Sequence, residues 1–68
     1  MALSGPVLIK QYHRRRLYRP DEGRYLTLDD LALMVEDDEA FTVREAATGD
    51  DITSSILLEI IRKRALHG

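Results

Sequence analysis

Three consecutive arginines, Arg14, Arg15 and Arg16, stand between Lys10 and the pair Arg19 and Arg24, so six of the ten basic residues fall within residues 10–24. Guanidinium groups are permanently charged and present forked donors that match phosphate oxygens and guanine edges. Tyr12, Tyr18 and Tyr25 are interleaved with these cations. Such rings stack on bases, bond phosphate, or pack at the margin of a core, and packing is the expectation for Tyr18 and Tyr25. The stretch is a candidate nucleic-acid contact. In the competing reading, the arginines are solvated or pair with carboxylates of the same chain, Asp37, Asp38 and Glu39 among them.

Other chemistry is hard to assemble from this sequence. There is no cysteine, and His13 and His67 stand far apart, which leaves no thiolate, disulfide or metal-ligand set. His13 has no carboxylate or second histidine at a spacing suited to proton transfer. Asp29-Asp30 and Asp50-Asp51 fall where helix caps and turns are expected, without calcium-loop spacing. Arg62-Lys63-Arg64 falls in the last turns of a helix, where cations oppose the dipole. No catalytic group, metal or cofactor is expected. Apolar runs are too short to span a membrane, and no secretory pattern opens the chain. A soluble, cytoplasmic protein is the expectation.

Charge is unevenly divided. Residues 1–28 carry six basic groups against Asp21 and Glu22, a net +4, whereas residues 29–68 carry four against ten acidic groups, a net −6. The formal total is −2 over 68 residues. A polyanion would therefore be met by a local patch, not by the whole surface.

The elements that must position this patch follow from local pattern. Residues 1–6 are small and turn-prone, and a flexible N-terminus is expected there. Val7 to Tyr18 is rich in strand formers and reads as one arm of a hairpin. Arg19 to Gly23 supplies the turn, and Arg24 to Leu26 the return arm. Period-2 alternation puts Lys10, Tyr12, Arg14, Arg16 and Tyr18 on one face, and Ile9, Gln11, His13, Arg15 and Leu17 on the other. Thr27 is placed to cap a helix from Leu28 to Glu36, whose inward face is Leu28, Leu31, Ala32 and Val35, widened by Leu33 and Met34. Phe41 to Glu45 alternates as a short strand with Phe41 and Val43 inward, and Gly49 suits a tight reversal. Thr53 is placed to cap a final helix running to about Leu66. That helix is apolar over more than one stripe, which implies a second burial surface. A homodimer contact through Ile56, Leu57, Ile60 and Ile61 is the economical form of it.

Three motifs then recur in order: Ile9-Lys10-Gln11-Tyr12-His13-Arg14-Arg15-Arg16-Leu17-Tyr18, Arg24-Tyr25-Leu26-Thr27-Leu28-Asp29-Asp30-Leu31, and Thr48-Gly49-Asp50-Asp51-Ile52-Thr53. Together they resemble the N-terminal DNA-binding domain of the polyhydroxyalkanoate synthesis repressor family, from about Val7 to Arg62. The resemblance implies a bacterial transcriptional regulator of carbon storage that represses genes for granule-associated proteins. Contact with the polymer granule does not follow, because in that family a further region lies beyond this domain. Arg14 replaces an Asn of the family pattern and Arg19 an Asp, which makes the hairpin more basic. Ala47 replaces a Lys and Ser54 a frequent Arg, which thins a second basic cluster.

The expected protein is a small α+β domain over residues 7–68. Its partners are duplex DNA, met by Lys10, Arg14, Arg15, Arg16, Arg19 and Arg24, and a second copy of itself. The alternative is an interaction module of the same fold whose hairpin meets an acidic protein or a phosphate-bearing ligand.

Overall fold

A computed structural model describes residues 5–67, apart from the side chains of Arg14, Leu66 and His67; most of the expected flexible N-terminus lies outside the described residues. The order of elements is β1 (Val7–Tyr12), a 3-10 turn (His13–Arg15), β2 (Arg16–Arg19), β3 (Arg24–Leu26), α1 (Leu28–Glu36), β4 (Phe41–Glu45) and α2 (Thr53–His67). The domain is α+β, with one four-stranded sheet in the order β3-β2-β1-β4.

The single strand expected from Val7 to Tyr18 is instead two strands folded back on each other. Lys10 pairs with Tyr18, Gln11 with Leu17, and Tyr12 with Arg16, all antiparallel. Arg15 makes the reversal possible by taking φ +61°, a left-handed conformation uncommon for a residue with a Cβ. Propensity alone does not see such a break, because every residue from Tyr12 to Leu17 tolerates extended backbone. The alternation survives the fold, since directly paired residues share a face. The expected turn before β3 is present, with Gly23 at φ +64° and its N–H donating to the Arg19 carbonyl at 2.9 Å.

β1 and β4 are parallel, with Ile9 opposite Val43. Parallel neighbours require a crossover, and β2, β3 and α1 lie between them in the chain. Ile9, Leu17, Leu26 and Val43 point from the sheet into a core closed by Leu31, Ala32 and Met34 of α1 and by Ile56 and Ile60 of α2. The helices thus cover one face of the sheet. Alternation carries Leu8, Lys10, Tyr12, Arg16, Tyr18, Tyr25, Thr42 and Arg44 to the other.

Thr27 caps α1 as expected: its hydroxyl accepts from the Asp30 N–H at 3.1 Å, and the Asp30 carboxylate accepts from the Thr27 N–H at 2.8 Å. The helix ends where Asp38 turns left-handed, at φ +58°, and the Glu39 N–H closes on the Met34 carbonyl at 2.8 Å. Met34 takes the buried place expected of Val35, which is 45% exposed. At α2 the capping group is Asp51, not the Thr53 hydroxyl. The Asp51 carboxylate accepts from the Thr53 N–H at 3.0 Å, while that hydroxyl accepts from the Val43 N–H at 2.8 Å. Thr53 therefore pins α2 to β4, satisfying a strand donor that has no ladder partner there.

Of the residues expected to meet a partner chain, Ile56 and Ile60 lie in this chain's own core, and Leu57 packs partly against it. Ile61 is 61% exposed. Leu58 on the same helix, with Leu33 and Val35 on α1, is also largely exposed. The surplus of apolar residues in α2 is real, but its outward part is Leu58 and Ile61.

Candidate nucleic-acid interface

The arginine run sits at the end of a two-stranded ribbon. β4 pairs with β1 only as far as Gln11, and β3 pairs with β2 only as far back as Leu17. Tyr12 to Arg16 thus extends beyond both outer strands, and the three arginines lie within this tip. No acidic residue stands between Tyr12 and Arg19. Neighbouring arginines go in opposite directions: Arg15, from the 3-10 turn, reaches toward α2, where it pairs with Glu59, while Arg16, the first residue of β2, lies on the open face over the Tyr25 ring, 4.6 Å from its centroid. The Glu59 carboxylate, through its hydrogen bond and its charge, holds Arg15 more firmly protonated than a free guanidinium. The Arg15 side chain nevertheless remains 67% exposed.

Arg19 and Arg24 occupy a different setting. Arg19 Nε donates to Asp21 at 2.8 Å, its Nη2 lies 3.5 Å from Glu22 and 3.9 Å from Glu39, and its side chain is only 13% exposed. The hydrogen bond to Asp21 raises the Arg19 pKa and pulls the Asp21 carboxyl below its usual range. Arg24 Nε donates to Glu22 at 2.8 Å. These two arginines brace the β2–β3 turn. The six expected contact residues therefore divide: Lys10 and Arg16 face open solvent with no carboxylate partner among the described residues, Arg15 is exposed but paired, and Arg19 and Arg24 are neutralised locally. The backbone of Arg14 places it in the tip turn.

The open face of the sheet carries more than the sequence reading assigned to it. A row across all four strands runs Arg44, Lys10, Tyr18, Tyr25, with Tyr12 and Arg16 paired alongside. None of its strand positions is acidic. Tyr12 and Tyr18 meet edge to face at 6.2 Å, and Tyr18 and Tyr25 are tilted at 5.0 Å. Tyr18 and Tyr25, expected at a core edge, pack against each other on the side away from the core. Arg44 Nη1 is hydrogen-bonded to the Gly49 carbonyl at 2.9 Å. Its place was legible, since it alternates out of phase with Phe41 and Val43, but the pairing of β4 with β1 was not. Beside the tip, Ala47 and His13 line one cleft. Of the C-terminal cations, Lys63 lies 3.2 Å from Asp29 and Arg64 pairs with Glu36, tying α2 to α1.

Fold and surface together define a small α+β domain that offers a basic, partly aromatic surface to a polyanion. The profile of the PHB/PHA accumulation regulator DNA-binding domain family matches residues 8–68, and the chain belongs to that family. Its role is that of a DNA-binding regulator domain. Similar chains include an "Uncharacterized protein in phbA 5'region" from Thiocystis violacea, 43% identical over 66 residues, covering 97% of this chain and 48% of that protein. An "Uncharacterized protein" from Allochromatium vinosum is 41% identical over 66 residues, covering 97% of this chain and 43% of its own length. The chain thus spans about half the length of these relatives. No solved structure matches it. Among the described residues no helix is long and apolar enough to cross a membrane.

Proposed function

We propose that this chain is the duplex-reading domain of a homodimeric transcriptional repressor acting on polyhydroxyalkanoate storage genes, in the cytoplasm and at the nucleoid. The observation that carries this reading is the two-stranded tip of Tyr12 to Arg16, which bears the arginine run and no carboxylate. A β-ribbon is narrow enough to enter the major groove. Arg14, Arg15 and Arg16 are the groove contacts, Arg15 exchanging Glu59 for a phosphate or a guanine edge, and Lys10 neutralises phosphate beside them. Arg19 and Arg24 act indirectly, by holding the neighbouring turn. Leu58 and Ile61, exposed on α2 behind the sheet, are suited to join two copies without covering the tip.

The test is fluorescence anisotropy of the chain with a labelled duplex across a range of salt. Binding should weaken steeply with salt, and Arg15→Ala/Arg16→Ala should lower the slope of log K against log salt by about 2, at about 0.9 per lost phosphate contact. The variant's circular dichroism should match the parent. A folded parent chain that fails to bind duplex at low salt overturns the reading and leaves the protein- or phosphate-ligand module in its place.

A further inference from the structure

The proposed duplex contact draws on Lys10 and Arg16 at one side of the open face and leaves the tyrosines of that face unused. We propose that this face binds single-stranded nucleic acid, with unpaired bases stacking on Tyr12 and Tyr25 and the phosphates held by Lys10 and Arg16. The proposal rests on the reading above in one respect only, that the chain binds nucleic acid at all.

Geometry separates the two surfaces. Neighbouring strands lie ~4.8 Å apart, so four of them span ~14 Å between outer axes before side chains are counted, against a major groove ~12 Å wide. The face is too broad to lie in the groove that admits the tip. A duplex also hides the flat surfaces of its bases within its own stack, and an aromatic platform has nothing to meet there. An unpaired strand exposes those surfaces, and each base has one whatever its identity.

Composition points the same way. Tyr12 is 42% exposed and Tyr25 is 53% exposed, on a face where a soluble domain ordinarily presents polar side chains. They are joined by Lys10, Arg16 and Arg44, and no carboxylate occupies a strand position on this face. The acidic side chains that neutralise other arginines cluster elsewhere, at the β2–β3 turn and on the helices. Asp51 stands opposite Arg44 at the β4 edge, so the cationic part of the face is Lys10 and Arg16, and an aromatic face with these cations complements a ligand that is both aromatic and anionic. Arg16 supplies a further surface, since its guanidinium already lies over Tyr25 and can stack on a base or swing to a phosphate.

The experiment measures the chain against three labelled probes in parallel: a duplex, a deoxythymidine strand and a uridine strand, each of about 15 nucleotides, long enough for one site. Binding of either single strand, with affinity reduced about tenfold in Tyr25→Leu while duplex affinity holds, is the expected result. The relative affinity for deoxythymidine and uridine strands identifies which is the better ligand. Leucine preserves apolar bulk without a π-face, and Tyr25→Phe, which keeps the ring, should bind like the parent. Duplex binding with no single-strand binding, or an equal loss for both in Tyr25→Leu, overturns the proposal and leaves the tip reading intact. Failure of all three probes overturns both. If Tyr25→Leu instead dissociates an oligomer, the face is a subunit contact and the proposal falls.

Discussion

The sheet has two basic hairpin ends, and their arginines keep different company. The β1–β2 end carries Arg14, Arg15 and Arg16 with no acidic residue in its turn, and the β2–β3 end carries Arg19 and Arg24 around Asp21 and Glu22. At the second end each arginine has a carboxylate at 2.8 Å, and Arg19 is largely withdrawn from solvent. At the first, among the described side chains, only Arg15 meets a carboxylate, one borrowed from α2. Residue type is the same at both ends, and the local supply of anions decides which guanidinium groups are already engaged. Charge counting along a sequence therefore overstates a contact surface unless each cation is followed to its partner.

Substitutions in the second turn sharpen this contrast. Arg19→Ala should have the largest effect, since it leaves Asp21, Glu22 and Glu39 crowded without their shared cation. A loss of about 1–2 kcal/mol in chemical denaturation is expected, with the salt slope of duplex binding unchanged. A reduced slope would place Arg19 on the DNA and erase the distinction between the two ends. Gly23→Ala should cost about 1 kcal/mol, because φ +64° disfavours a Cβ, although the nearest neighbour, the Tyr18 hydroxyl, is 3.8 Å away and leaves room. A loss of thermal stability without a change in affinity is the outcome that fits a bracing turn. Arg24→Ala should cost less than either, well under 1 kcal/mol, since its pair with Glu22 is solvent-exposed.

The smallest effect is a pH dependence. Asp21 has its pKa lowered in the folded chain, mainly by the hydrogen bond from Arg19. A depressed folded value means that its stabilising contribution is complete above the unfolded carboxyl pKa of about 4 and is lost as pH falls through the folded value. Denaturation midpoints measured from neutral pH down to acid should therefore decline on the acid side, and Asp21→Asn should make that decline shallower. An unchanged acid limb would mean that the Arg19–Asp21 pair contributes nothing to this end of the sheet.

Much of the architecture was legible because it is local. The capping box at Thr27, the extent of α1, the strand at Phe41, and the need for glycine at positions 23 and 49 each depend on residues a few positions apart. So did the parity that keeps Lys10, Tyr12, Arg16 and Tyr18 together, which pairing across the first hairpin preserved. The cap of α2 was misassigned because Thr53 and Asp51 are both good caps, and the nearby Val43 N–H claims the threonine hydroxyl. The dimer expectation named Ile56 and Ile60 because composition shows a surplus of apolar residues without showing which of them the core takes.

What the sequence determined by itself is the inventory: two helices, extended segments that alternate, a basic first half and an acidic second half. These follow from propensity, capping and periodicity, all properties of neighbours along the chain. What only the tertiary structure decided is the company each side chain keeps. Arg15 meets Glu59, Arg19 meets Glu39, and Lys10 lies beside Arg44, through contacts between residues distant in sequence. Those contacts depend on how the sheet is ordered and which face the helices cover, and loop closure, not local preference, brings them together. That is why the sequence could mark the arginines but only the fold could show which of the described ones already hold a carboxylate.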